Sequence, residues 1–201
     1  MKDYLPTSLR NVALIGHGGC GKTTFAEAVL YAAGITGRMG TVAEGNTVSD
    51  YNHDEIERKF SVSTSLLHAE WRDLKFNILD PPGYPDFLGE VEAALRVSDV
   101  AVILVKSVEG IEVGTEIDWG FTRLYKTPTV FVVNKADAEN SSFEKTVAQI
   151  REKLSHDIVV VQFPVNEGTA FDSIIDVLKM KLLKFNPNAK GKYSEEEIPP
   201  S

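Results

Sequence analysis

A glycine-rich stretch between an apolar run and a helix-like segment constrains the fold of this chain more than any other feature. Residues 16–23 read Gly-His-Gly-Gly-Cys-Gly-Lys-Thr, and the apolar run 11–15 precedes them. Glycines in such a stretch allow backbone N–H groups to converge at a helix N-terminus, where they bind phosphate oxygens. The stretch therefore predicts a phosphate-binding loop between a buried strand and a helix, in preference to an ordinary glycine-rich turn.

The side chains at the end of this loop have distinct expected roles. In phosphate loops the lysine reaches the β- and γ-phosphates, and the hydroxyl of the next residue binds Mg²⁺. We therefore expect Lys22 to contact phosphate and to act in catalysis, and Thr23 to bind the metal ion. The residues expected to bind nucleotide here are Gly16, His17, Gly18, Gly19, Cys20, Gly21, Lys22, Thr23 and Thr24.

Composition narrows the class of protein. The 201 residues are 43% hydrophobic, enough for a full core, and no apolar run approaches the ~20 residues of a membrane span. The single cysteine, Cys20, fits a reducing compartment, so we expect a cytoplasmic protein without membrane attachment. The net charge of −8 argues against broad binding to nucleic acid, including free DNA. We expect a monomer.

Strand-like and helix-like segments alternate, which predicts an α/β fold in three layers with a mainly parallel sheet. The first helix is expected over residues 23–33, with Gly34 ending it. Residues 35–59 then lack periodicity, and a connection of this length is usually functional or disordered. Next to a phosphate loop, we interpret this segment as a lid that the γ-phosphate orders, and we name it the first switch.

Two β-like runs at 62–71 and 74–79 predict a hairpin that supplies an antiparallel edge strand. The second run leads into Asp80-Pro-Pro-Gly83, an Asp-x-x-Gly element. In GTPases its carboxylate acts on Mg²⁺ and its glycine N–H senses the γ-phosphate, so we expect Asp80 in the metal site and Gly83 in catalysis. Helices are expected at 86–96 and 114–125, with a buried strand at 100–105 between them.

The tetrapeptide Asn134-Lys135-Ala136-Asp137, named the base loop here, follows a further strand-like run at 127–133. In an Asn-Lys-x-Asp element the aspartate accepts hydrogen bonds from the guanine ring N–H and amine, the asparagine holds the loop and the lysine stacks on the base. Adenine presents the wrong donors, and an unpaired carboxylate would be costly, so the element predicts guanine specificity. We therefore expect Asn134, Lys135 and Asp137 to bind the base.

The remaining sequence predicts a helix at 142–154, a β-rich run at 158–165, a helix at 171–183 and a loose polar tail to residue 201. On topology alone, residues 159–165 and 168–170 could form the sixth strand and a guanine-contacting loop of a minimal GTPase.

In order and spacing, the motifs at 16–23, 55–58, 80–84 and 134–137 resemble the nucleotide-binding domain of the translational GTPases. Residues 45–51 and 113–116 are most similar to elongation factor G and its bacterial elongation factor G-like paralogues. The resemblance implies a ribosome-associated GTPase with GTP, GDP and Mg²⁺ as ligands. It also implies a GTP-binding domain at 1–157 and, at 158–201, the start of an insertion in a longer multidomain chain.

At three positions this chain differs from the pattern of the elongation factors, and two of these differences bear on catalysis. The threonine that binds Mg²⁺ in the first switch of elongation factors is matched by Ser61, which retains a hydroxyl, so Ser61 is expected in the metal site. The histidine that follows the Asp-x-x-Gly glycine is matched by Tyr84, as in the elongation factor G-like branch. Because a phenol with a pKa of about 10 is a poor base at neutral pH, we expect Tyr84 to orient water during slow hydrolysis that the ribosome accelerates. Gly19 replaces an aspartate that many relatives carry.

Two other classes of function remain as alternatives. The first is a GTP-dependent module that docks on ribosomes without turnover. The second is a phosphate-loop kinase or ATPase, which the base loop disfavours.

Overall fold

The computed structural model describes residues 3–186 and 192–199. The chain divides into two compact units. The first unit comprises residues 1–105 and 112–132, and the second comprises residues 106–111 and 133–201. The phosphate loop belongs to the first unit and the base loop to the second.

A five-stranded sheet forms the framework of the fold. Its strands are β1 (Leu9–Ile15), β2 (Ser65–Trp71), β3 (Leu74–Asp80), β4 (Val100–Lys106) and β5 (Thr129–Asn134), in the order β2-β3-β1-β4-β5. Strand β1 pairs in parallel with β3 and β4, and β2 runs antiparallel to β3 at the edge. This confirms the predicted α/β fold with a mainly parallel sheet and one antiparallel edge strand.

The hairpin turn between β2 and β3 explains the register of that edge. Arg72 and Asp73 have φ angles of 49° and 64°, the left-handed pair of a two-residue turn whose twist matches that of the strands. Alternate residues of β2 (Ser65, Leu67 and Ala69) are buried, so one face of the hairpin meets the core.

The helices are α1 (Lys22–Ala32), α2 (His53–Arg58), α3 (Leu88–Arg96), α4 (Val113–Tyr125) and α5 (Phe143–Lys153). Helix α1 buries Ala26 and Leu30 in a cluster with Leu14 of β1, where alternate side chains face opposite sides of the sheet. Helix α2 lies inside the first switch, which is therefore more ordered than its lack of periodicity predicts. Asn52 and Glu55 form a reciprocal capping box at its start.

The buried face of α4 consists of small and polar residues. Its buried residues are Gly114, Thr115, Asp118 and Thr122, whereas Leu124 is 66% exposed. Leu124, which lies at helical spacing from Ile117 and Phe121, therefore does not belong to the buried face of the helix.

The second unit contains an antiparallel sheet in the order β6 (Gln162–Pro164), β7 (Ser173–Asp176), β8 (Lys181–Phe185) and β9 (Tyr193–Glu196). The helix predicted at 171–183 is wrong: Ile174 pairs with Leu183 across β7 and β8. Met180, with a φ of 53°, lies in the turn that joins them. β-Branched residues and pairing along both strands favour the sheet over a helix.

The polar tail contains β9, which pairs with β8, so the prediction of a loose tail is wrong for residues 193–196. Tail residues 187–191 and 200–201 lie outside the described residues. Across the described ranges, none of the helices combines the length and the apolar character needed to cross a membrane.

Candidate functional site

The phosphate loop follows β1 and turns sharply at two glycines. Gly16 has a φ of 141°, and a Cβ atom there would lie 2.6 Å from the Leu104 carbonyl oxygen, so no larger residue fits. Gly21, with a φ of 97°, begins α1 as its N-cap. Lys22 is buried, and its Nζ donates a hydrogen bond to the Gly16 carbonyl at 2.9 Å. The predicted phosphate-binding lysine therefore lies across the loop.

The other predicted nucleotide-binding residues of the loop have different environments. Cys20 is buried in the core cluster, and burial raises the pKa of its thiol. Gly19 and Thr24 are exposed. Cys20 thus fills space beneath the loop, while Gly19 and Thr24 face outward.

Asp80 and Thr23 meet at the carboxyl end of β3. The Thr23 hydroxyl donates to Asp80 Oδ2 at 3.1 Å. Asp80 is 1% exposed, and among the described residues its Oδ1 has no hydrogen-bond partner. Burial raises the pKa of Asp80 to about 6, against the opposing effects of the Lys22 charge and the Thr23 hydrogen bond. A buried carboxylate oxygen without a donor, next to a hydroxyl, fits an oxygen-binding cation such as Mg²⁺.

Ser61, the third predicted metal ligand, makes a different contact. Its hydroxyl donates to Asp50 Oδ1 at 2.6 Å. Asp50 is 4% exposed, and its Oδ2 has no hydrogen-bond partner within the described part of the chain. Burial raises the pKa of Asp50, and the Asp50 charge in turn contributes to raising the pKa of Asp80. Sequence reasoning missed Asp50, since it is one acidic residue in a segment without periodicity.

Gly83 and Tyr84 both lie against the phosphate loop. A Cβ atom on Gly83 would collide with Lys22 Nζ and lie 2.8 Å from the Gly16 carbonyl oxygen. The Tyr84 ring contacts Phe60 with a centroid distance of 5.0 Å, and a Cβ atom on Gly18 would lie 3.0 Å from that ring. The residues that directly follow the first switch and the Asp-x-x-Gly element, Phe60 and Tyr84, thus meet next to the loop.

The amino-terminal half of α4 packs beneath the same loop. His17 Nε2 lies 3.5 Å from Glu112 Oε1, and a Cβ atom on Gly114 would lie 2.6 Å from His17 Nδ1. Asp118 is 3% exposed, and burial raises its pKa to about 7, opposed by the Lys22 charge and the Gly16 backbone N–H. Sequence reasoning also missed Asp118, because no motif marks it.

Two buried glutamates hold the first switch in place, Glu27 from α1 and Glu55 from α2 within the switch. Glu27 of α1 accepts hydrogen bonds from Gly40 N at 2.9 Å and from Val48 N at 2.6 Å. Glu55 Oε1 accepts from Val62 N at 2.9 Å. In this conformation the segment is held at its start, near its middle and after α2.

The base loop, in the second unit, follows the end of β5. Asn134 is half-buried, whereas Lys135 and Asp137 are exposed. Lys135 has a φ of 58°, which turns the chain directly after the strand. The Gly168 backbone N–H donates to the Ala136 carbonyl at 2.8 Å, so the short turn Gly168–Ala170 lies against the backbone of the base loop.

A phosphate loop after the first parallel strand, an Asp-x-x-Gly element after its neighbour and an Asn-Lys-x-Asp loop after β5 define a phosphate-loop GTPase fold. The family described as the elongation factor Tu GTP binding domain matches residues 7–187. The chain belongs to this family of translational GTPases. Its members bind and hydrolyse GTP.

Individual relatives agree with this assignment. The chain is 38% identical over 192 residues to "Elongation factor G 2" of Hahella chejuensis, covering 96% of this chain and 28% of that protein. It is 36% identical to the mitochondrial "Ribosome-releasing factor 2" of Bos taurus, covering 95% of this chain and 25% of that protein. A crystal structure of a Thermus thermophilus protein superposes with a TM-score of 0.88 at 34% identity, covering 95% of this chain and 28% of that one. The chain therefore spans about a quarter of the length of these relatives.

Proposed function

We propose that this chain is the GTP-hydrolysing switch domain of an elongation factor G-like translation factor, from the paralogue branch with tyrosine after the Asp-x-x-Gly element. The arrangement of Lys22, Thr23, Asp80 and Gly83 around one phosphate loop supports this function most directly. These groups supply positive charge, a hydroxyl, a carboxylate and a backbone N–H, which phosphoryl transfer requires. Catalysis of this kind depends mainly on positioning and charge stabilisation.

In this proposal the phosphate loop binds the α- and β-phosphates of GTP or GDP through its backbone N–H groups, and Lys22 contacts the β- and γ-phosphates. Lys22 is already buried against the Gly16 carbonyl, so little reorganisation of its side chain is needed. Gly83 presents its N–H to the γ-phosphate, and its lack of a side chain allows it to approach Lys22.

Thr23 and Asp80 would hold Mg²⁺, and Ser61 joins them when the first switch closes on GTP. The unpartnered Oδ1 of Asp80 supports this assignment. The ion would neutralise negative charge on the phosphates. Because the Ser61 hydroxyl donates to Asp50 here, its recruitment requires that hydrogen bond to break.

We assign the orientation of the attacking water to Tyr84. The Tyr84 hydroxyl would orient water by hydrogen bonding, because a phenol is a poor base for accepting its proton. The ring lies between Phe60 and Gly18, within reach of the phosphate loop. Hydrolysis by the domain alone is therefore slow, and the ribosome accelerates it by fixing Tyr84.

Guanine specificity is assigned to the base loop. The Asp137 carboxylate accepts from the ring N–H and the exocyclic amine, Asn134 holds the loop, and the Lys135 stem stacks on the base. The preference for guanine over adenine follows because adenine would leave the carboxylate unpaired.

The same proposal includes the location, oligomeric state, partners and domain organisation of the protein. The factor acts in the cytoplasm as a monomer, contacts the ribosome through further domains of a longer protein and does not bind free DNA. Residues 1–157 form the GTP-binding domain, and residues 158–201 begin an inserted subdomain. The mitochondrial and bacterial relatives, named for elongation and ribosome release, support ribosome association.

The second candidate function is a GTP-dependent module that binds ribosomes without turnover. It is favoured because Tyr84, which packs against Phe60, occupies the position where the family carries a histidine. Phosphate release from GTP, measured with and without ribosomes, separates the two functions. We expect stimulation by ribosomes. Nucleotide-dependent ribosome binding without stimulated hydrolysis would favour the module.

A further inference from the structure

The backbone of the base loop is held by hydrogen bonds from outside it. Ser107, which follows β4, donates its N–H to the Asn134 carbonyl at 2.9 Å and its hydroxyl to the Lys135 carbonyl at 2.7 Å. These two bonds fix the first half of the loop directly after β5. They do not reach the peptide that carries Asp137.

That peptide is held by a second pair of donors. The Ala136 carbonyl accepts from Gly168 N at 2.8 Å and from the Ser141 hydroxyl at 2.8 Å. Gly168 N also lies 3.1 Å from Ser141 Oγ, so the three groups form a closed triangle. The Ala136 carbonyl and the Asp137 N–H belong to one planar peptide unit, so these bonds set the plane from which the Asp137 side chain extends.

The turn that supplies Gly168 is itself anchored. Gly168 has a φ of 72°, a left-handed conformation that glycine adopts without strain. The preceding Glu167 accepts a hydrogen bond from the backbone N–H of Phe143, at the start of α5. The turn therefore connects the base loop to the helix that follows it.

We propose that Ser141 and Gly168 are positioning residues for guanine recognition: together they orient the Ala136–Asp137 peptide and thereby the Asp137 carboxylate. This rests on the proposed function, in which Asp137 binds guanine. Asp137 is exposed, so its orientation depends on its backbone and not on packing of its side chain. Through Gly168, the turn at residues 168–170 therefore acts on guanine by way of the base loop.

The test compares the affinities of GDP and IDP, which share phosphates and ribose but differ in the exocyclic amine that Asp137 accepts from. We expect Ser141→Ala to lower the GDP-to-IDP affinity ratio by about 3- to 10-fold, the effect of one or two hydrogen bonds. Ser141→Thr, which keeps the hydroxyl, restores the ratio. Ser194→Ala, which removes a hydroxyl bonded to Glu196 on β9, leaves it unchanged.

If Ser141→Ala does not fold, two variants of Gly168 test the same positioning role. Gly168→Asn tolerates a left-handed backbone and retains the ratio, whereas Gly168→Val disfavours that backbone and lowers it. An unchanged ratio in Ser141→Ala, or in Gly168→Val where Ser141→Ala does not fold, overturns the inference alone, provided that GDP is still preferred over ADP. Loss of the preference for GDP over ADP in the unmodified chain overturns the proposed function instead.

Discussion

Thr64 donates two hydrogen bonds to one carboxylate oxygen of Glu90, from its backbone N–H at 2.9 Å and from its hydroxyl at 2.5 Å. Thr64 lies between the first switch and β2, directly before the strand, and Glu90 lies on α3, which follows the Asp-x-x-Gly element. The contact therefore joins the chain that leaves the first switch to the helix that follows the Asp-x-x-Gly element. Hydrogen bonds to a charged acceptor contribute more than neutral ones.

This contact predicts coupling between the two residues. In a double-mutant cycle of Thr64→Val and Glu90→Ala, we expect a coupling free energy of about 1–2 kcal/mol in urea unfolding. Limited proteolysis of the first switch is expected to be faster in Glu90→Ala. A coupling free energy near zero would show that the two segments are stabilised independently.

Gly83 is expected to tolerate no side chain. Gly83→Ala places a Cβ atom against Lys22 Nζ and the Gly16 carbonyl, so the lysine must move. Displacement of a catalytic group by about 1 Å costs on the order of 100-fold in rate, and we expect a loss of that size in ribosome-stimulated GTP hydrolysis.

The matched control is Gly89→Ala, on α3, where an added Cβ atom meets nothing within 4 Å. This variant should retain hydrolysis and gain up to about 1 kcal/mol of stability, because alanine is favoured over glycine in a helix. Equal rates for the two variants would contradict the close approach of Gly83 to Lys22.

The Tyr84 hydroxyl is expected to matter for hydrolysis but not for nucleotide affinity. Tyr84→Phe keeps the ring contacts with Phe60 and Gly18 and removes only the group proposed to orient water. We expect ribosome-stimulated turnover to fall about 10-fold or more, with GTP affinity unchanged. Unchanged turnover would remove Tyr84 from the catalytic assignment.

The raised pKa of the buried Asp118 carboxyl predicts that the stability of the fold depends on pH. Burial raises its folded-state pKa to about 7, above the ordinary value of 3.8, so ionisation destabilises the folded state progressively between pH 4 and pH 7. Asp118→Asn cannot ionise and has nearly the same size and shape as the aspartate. In nucleotide-free protein we expect its Tm to exceed that of the unmodified chain by about 3–8 °C at pH 8.

The difference in Tm should shrink as the pH falls toward 4, where Asp118 is protonated in the folded chain and begins to be protonated in the unfolded chain. A lower Tm for Asp118→Asn at pH 8 would mean that the ionised carboxylate stabilises the phosphate loop through Lys22. The effect of the Lys22 charge on the pKa of Asp118 would then be larger than the effect of burial.

The parts of the fold that sequence predicted well are those encoded locally. The phosphate loop, the hairpin around Arg72 and Asp73 and the strands before Asp80 and Asn134 each depend on residues adjacent in the chain. The error at 171–183 has a nonlocal cause. Short apolar runs fit a helix or a strand equally, and pairing of Ile174 with Leu183 decides the outcome.

The same distinction applies to the candidate site. Motifs located Lys22, Thr23 and Asp80, because each belongs to a compact pattern with fixed spacing. Asp50 and Asp118 are single acidic residues, and only folding brings each of them near Lys22. The contact between Ser141 and Gly168 likewise joins residues 27 positions apart, which no local pattern indicates.

Competition binding shows directly whether this chain is a guanine-nucleotide switch. A fluorescent GDP analogue is bound to the chain in Mg²⁺ and displaced with GTP, GDP or ATP. We expect GTP and GDP to displace the analogue at least about 100-fold more effectively than ATP, since adenine leaves the Asp137 carboxylate unpaired. Equal displacement by ATP and GTP would show that the chain does not select guanine nucleotides.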